Sequence, residues 1–156
     1  MISEKLFILF SIILAIIFST GFMNDAAGSD WVYYATNMSG NKLFYDKDSI
    51  RSDPQNIIRV WGKTVYSDKG RAHIIDRYMD RGISTTGYES LGESKELYHF
   101  NCADEKLTVS ELVNYASDGR VLDSRKSDKM DWIQVTPDSW GEKLLKIVCK
   151  EAQQKK

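Results

Sequence analysis

The sequence predicts an α+β domain: an antiparallel β-sheet of about six strands, a mid-chain helix, and a C-terminal helix pinned to the sheet by one disulfide. Three observations carry this expectation. Short runs rich in β-branched and aromatic residues recur between positions 31 and 135, separated by turn-forming Gly, Asn, Asp and Pro. The apolar spacing changes twice, to the three-to-four repeat of a helix. Only two cysteines occur, Cys102 and Cys149, 47 positions apart, in a chain whose start reads as an export signal.

That start sets the compartment. Lys5 precedes the apolar run 6–18, and small residues follow in "STG" and "AAG" before the polar "SDW". Basic start, apolar centre and small-residue cut are the order of a secretory signal. Ala26 and Gly28 favour cleavage before Ser29, and a cut after Gly21 is the alternative. An uncleaved anchor is the rival, but a spanning helix needs about 20 apolar residues, and Ser19, Thr20 and Gly21 interrupt the run. No cysteine lies near the cut, which argues against a lipid anchor there. The expected mature chain, 29–156, has the size of one domain. It carries 20 basic and 20 acidic residues, and this neutral balance argues against nucleic acid as the partner.

Strands are expected at 31–36, 42–46 and 56–66, the last following the turn at Asp53-Pro54. In 67–82, Ala72, Ile75, Tyr78 and Met79 fall at helical spacing. Ser67 or Asp68 can cap the start of this helix, and Gly82 can close it in a left-handed conformation. A hairpin across 67–70 is the competing reading. The stretch 85–94 reads as a loop, and strands follow at 96–102, 107–116, 120–124 and 131–135. The two-residue turn Asp118-Gly119 joins two of them, since both residues accept positive φ. For the final helix, Pro137 suits the first position, and Ser139 with Glu142 offers a capping box. Trp140, Leu144, Leu145, Val148, Cys149 and Ala152 form its apolar stripe.

Cysteine chemistry follows from export. Outside the cytosol paired thiols persist as disulfides. Two cysteines so far apart, without clustered histidines, give no local zinc spacing. A catalytic thiol would need a histidine base. His99, three residues before Cys102, points to the opposite face of a strand. The expected bridge Cys102–Cys149 ties the last helix to the sheet face bearing Tyr98 and Phe100.

The order of motifs also carries a family resemblance. It runs from Trp31 through "YDKDSI", "RVWGKTVY" around Trp61, Cys102, "YASDGRVLDS", Trp132 in "DWIQV" and "PDSW" to Cys149. In this order and spacing the chain resembles the surface-adhesin protein E family of bacterial exported proteins. The resemblance implies an antiparallel sheet with a disulfide-tethered C-terminal helix. It also implies a surface protein that binds host extracellular-matrix proteins and epithelial cells.

Other chemistry is weak. Counted from Asp46, an EF-hand loop through Asp46, Asp48 and Asp53 would place Ile50, Arg51 and Ile57 where an oxygen ligand, glycine and glutamate are required. These acids read as turn formers. His73 and His99 stand on different elements, and no serine lies in a nucleophile elbow. No catalytic residue, metal site or cofactor is therefore expected. Aromatic strand residues offer the candidate binding surface: Tyr33 and Trp61 beside Arg59 and Lys63, on a sheet face left uncovered. The bland alternative places them under the 68–82 helix. The expected function is an exported, non-enzymatic binding domain, at the cell surface or secreted, with a host matrix protein as partner. A soluble periplasmic protein that binds another envelope component is the alternative.

Overall fold

The computed structural model describes residues 28–154. The apolar run 6–18 and the alternative cut after Gly21 lie outside them. The strands are β1 (Trp31–Thr36), β2 (Lys42–Asp46), β3 (Arg51–Ser52), β4 (Ile57–Val65), β5 (Leu91–Asn101), β6 (Lys106–Ala116), β7 (Val121–Lys126) and β8 (Ile133–Gln134). The helices are α1 (Asp68–Asp80) and α2 (Trp140–Gln154). The strands form one antiparallel sheet in the order β1-β2-β4-β5-β6-β7, with β3 beside β4 and β8 beside β6.

Each of those two short strands extends a row that a longer one begins. β2 pairs with Gly62–Val65 of β4, and β3 pairs with Ile58 and Arg59 further along the same strand. The break between them is a single 3-10 turn at Lys47–Ser49, where Asp46 accepts from Asp48 N. Ser49 then holds the turn against β4 by accepting from Trp61 N at 2.9 Å. Asp53 closes the next turn, its Oδ1 accepting from Gln55 N and Ile57 N, both at 2.9 Å. Asp46 and Asp53 are turn formers, as their spacing suggested.

Both helices pack on one face of the sheet. Val60, Phe100, Leu144 and Val148 are fully buried at the centre of this layer, flanked by Leu43, Tyr45, Ile58, Tyr98 and Leu107. The α2 stripe supplies Leu144, Leu145, Val148 and Ala152. The bridge Cys102–Cys149 joins the end of β5 to α2 with a Cα–Cα distance of 6.0 Å, on the side of Phe100. Strand parity puts His99 on the other face, where its Nε2 meets Ser110 Oγ at 2.8 Å.

Several details differ from the sequence reading, each for a local reason. β5 starts at Leu91 and not at 96, and Tyr88–Ser90 is a 3-10 turn where a loop was expected. Gly92 and Ser94 look like loop residues, yet Ser94 pairs with Thr64 of β4 and Asn114 of β6, and Gly92 O accepts from Tyr66 N at 2.9 Å. The expected strand 131–135 pairs only at Ile133 and Gln134.

At the β6–β7 turn only Gly119 has positive φ, +86°. Ala116 N donates to Arg120 O across Ser117, Asp118 and Gly119, so the loop has three residues followed by a bulge rather than two.

The mid-chain helix forms, and Ser67 Oγ caps it by accepting from Gly70 N. Gly82, at φ +66°, closes it, with Ile83 N donating to Tyr78 O. Its packed side, however, is Gly70, Ile74, Ile75 and Tyr78, while Ala72 and Met79 are exposed.

Pro137 lies before the cap of α2 and not at its first turn. Asp138, at φ +59°, redirects the chain so that Ser139 Oγ accepts from Glu142 N at 3.2 Å. Glu142 in turn accepts from Asp138 N. Trp140 is 41% exposed and meets the Tyr98 ring edge-on at 6.1 Å, so it closes the stripe at its rim.

Candidate functional site

The face of the sheet away from the helices bears an array of rings and ammonium groups. It is built by register. On β4 the alternation that buries Ile58 and Val60 sends Arg59, Trp61 and Lys63 to the other side. β2 pairs Phe44 with Lys63, and β1 pairs Tyr33 with Phe44. β5 pairs Lys95 with Lys63 and Leu97 with Trp61. Tyr33, Phe44, Lys63 and Lys95 thus form a row across four strands.

Two like charges directly across a ladder repel each other. Here aromatic faces offset that repulsion. Lys63 Nζ lies 4.5 Å from the Trp31 ring centre and 5.2 Å from that of Phe44. Lys95 Nζ lies 5.0 Å from the Tyr115 ring and 5.9 Å from Trp31. These separations are within the range of cation–π attraction. Tyr33, 52% exposed, packs edge-on against Phe44 at 5.7 Å. Glu93 sits 3.7 Å from Lys95, and Lys126 pairs with Glu111 at 2.8 Å, so the face mixes signs around its aromatic centre.

The four residues singled out from sequence share this one face. Tyr33 and Lys63 belong to the aromatic row, joined through Phe44. Trp61 and Arg59 continue along β4, and Arg59 ends beside Arg51 and His99. Burial, with the Arg59 charge next to it, lowers the His99 pKa and favours the neutral ring. Trp31, Phe44, Lys95 and Tyr115 were missed. Strand parity alone could have placed Phe44, but Lys95 required knowing that β5 begins before 96. Tyr66 lies on the opposite, helix-bearing face: its hydroxyl meets Ser94 Oγ at 3.3 Å in the layer beneath α1.

Histidine chemistry does not assemble with it. His73 is exposed on α1 and lines an open cleft that also contains Asp138 and Trp140. No hydrogen bond joins His73 to Asp138 among the described residues. Among those residues, too, no group of three or more His, Cys, Asp or Glu side chains is placed to hold a metal ion.

The family model of surface-adhesin protein E matches residues 31–150, from the first residue of β1 into α2. The chain belongs to the surface-adhesin protein E family. Solved structures similar to this member of the family include protein E of Haemophilus influenzae. One is 18% identical, with a TM-score of 0.49, covering 80% of this chain and 86% of that chain. Its crystal form II is 16% identical, with a TM-score of 0.48, covering 79% and 89%. A comparison with curated proteins finds no match. The matched stretch of the surface-adhesin protein E family contains the whole aromatic–lysine row and both disulfide cysteines. No described helix of this family member is long and apolar enough to cross a membrane.

Proposed function

We propose that this protein is an exported, non-enzymatic binding protein. In this reading its helix-free sheet face docks a protein ligand, a host extracellular-matrix protein in the first instance. The observation that carries the proposal is the row Tyr33, Phe44, Lys63 and Lys95 with Trp31 and Tyr115 beside it. Large rings at an exposed sheet centre supply contact area at low entropic cost, and Tyr, Trp and Arg dominate the energetics of known interfaces. The lysines, held over rings, are pre-positioned to meet carboxylates of a partner. Membership of the surface-adhesin protein E family supports an adhesive role. The alternative location is the periplasm, where the same face would bind an envelope component.

Binding to immobilised matrix proteins, measured beside the wild type, tests the reading. The double variant Tyr33→Ala, Lys63→Ala should weaken binding at least about tenfold, the scale of losing interface anchors. Unchanged binding would remove this face from the role. Capture of envelope protein alone, with no affinity for matrix proteins, would favour the periplasmic alternative.

A further inference from the structure

On the opposite side of the sheet, we propose a second site: the small pocket between α1, the first turn of α2 and the sheet binds a zwitterion of amino-acid size. Glu96 receives the ammonium group and Arg77 receives the carboxylate. The pocket has a volume of about 260 Å³, and Tyr66, Ile74, Arg77, Glu96, Tyr98 and Trp140 are among its walls. This is below the size of typical drug-sized sites, which start at roughly 300 Å³.

Glu96 is the feature that demands an explanation. It alternates with Ser94 and Tyr98 on the helix-bearing face of β5, and its carboxylate accepts from the Tyr98 hydroxyl and from Ser94 Oγ. No Lys or Arg forms an ion pair with it among the described residues. Glu96 is half-buried, and a carboxylate partly withdrawn from water without a cation is unfavourable. Burial accordingly raises its pKa, against the two hydroxyls that lower it. A fold without use for this charge would be more stable with an apolar or amide side chain at the position.

The surroundings suit an ammonium ion. The Tyr98 and Trp140 rings meet at 65° with centres 6.1 Å apart, and Tyr66 adds a third ring. Aromatic walls around an acidic floor attract organic cations. Arg77 sets the opposite pole. It is exposed on α1 and lines the same pocket, without forming an ion pair with Glu96. Asn41 completes the polar wall. It is 5% exposed, and its Oδ1 accepts from Ser67 N at 3.0 Å. A guanidinium and a carboxylate on the walls of one pocket are complementary to a ligand with its positive end inward.

The test is an NMR titration of the exported protein, following the Trp140 indole N–H with Trp31, Trp61 and Trp132 as internal controls. Glycine betaine and L-proline are the zwitterionic probes, choline carries the cation only, and acetate the anion only. Saturable movement of Trp140 alone is expected with a zwitterion. Its affinity should fall at least about tenfold in Glu96→Gln and severalfold in Arg77→Gln. Glu96→Gln keeps the side-chain volume and removes an unfavourable charge, and Arg77 is exposed, so folding is retained in both variants. No saturable shift with either zwitterion overturns the proposal, as does equal binding by Glu96→Gln. Choline binding as tightly as betaine, with no effect of Arg77→Gln, overturns the zwitterion assignment. So does binding by acetate alone.

Discussion

Gly62 and Glu96, paired across β4 and β5, show how much single positions control the helix-bearing face. Gly62 lies where the Tyr98 ring crosses the strand: a Cβ built there would be 2.4 Å from Tyr98 Cε2. Tyr98 cannot retreat easily, since it stacks near Phe100 at 5.9 Å and supports Trp140. Gly62→Ala should therefore lose about 2 kcal/mol, as overpacked cores do, and thermal melting reads this directly. Glu96 predicts a pH effect. Its carboxyl pKa is raised in the folded state by burial, so the folded protein holds that proton more tightly than the unfolded chain. The resulting stabilisation is present at acid pH and is lost as pH rises through the folded-state value. The facing groups are Tyr34, Tyr66 and Tyr98, whose pKa values are all raised, and the distant Arg77. The tyrosines stay neutral through this range, leaving Glu96 as the titrating partner. Glu96→Gln should melt above the wild type at pH 8, and the gap should close near pH 4. A variant that melts lower at pH 8 would show the ionised carboxylate to be stabilising.

At the scale of elements, the junction that matters is β5 to α2. α2 buries one stripe against the sheet, but it follows an irregular connection from the short strand β8, and its far half is anchored by the disulfide. Removing a cross-link across 47 residues restores denatured-chain freedom worth about 4 kcal/mol in the chain-entropy model. The double variant Cys102→Ser, Cys149→Ser should lose stability on that order in urea unfolding, with amide exchange rising first in the C-terminal half of α2. A loss spread evenly through the sheet would place the staple's effect elsewhere. This bridge was legible in the sequence because export, the count of two and the helical stripe through Cys149 all pointed to it. The helix 68–80 was legible through its Ser67 cap and Gly82 closure, but its packed side was not. Ala72 and Met79 fit the apolar period, yet Asn41 lies against Gly70: a Cβ there would be 1.6 Å from Asn41 Oδ1, and that contact fixes the helix's rotation. A residue from the β1–β2 turn chose the face, and no local period contains that information.

For the whole molecule, the two faces of the sheet divide the labour. One buries the core beneath two helices and encloses the Glu96 pocket. The other presents the aromatic–lysine row to the outside. Surface changes there should leave the fold intact: Tyr33→Ala at an exposed site and Lys63→Ala at a half-buried one outside the core are each expected to shift stability by less than about 1 kcal/mol. Their effect on binding can then be read without correction for unfolding. Where the molecule works has its own measurement. Protease treatment of intact cells should degrade a surface adhesin and spare a periplasmic protein, and full protection would exclude the adhesive role at the surface.

The sequence by itself determined the sheet-and-helix composition, the single staple and the membership in an adhesin family. Each of these is written in local period, turn chemistry or the order of motifs along the chain. Only the tertiary structure decided what stands beside what. Lys95 joins Lys63 because β5 runs back to Leu91 and pairs in one register with β4, a matter of available ladder partners. Glu96 loses most of its solvent because α1 and α2 both settle on its face. Burial and neighbourhood arise from packing of segments distant in sequence, and these turned a list of aromatic and charged residues into two distinct surfaces.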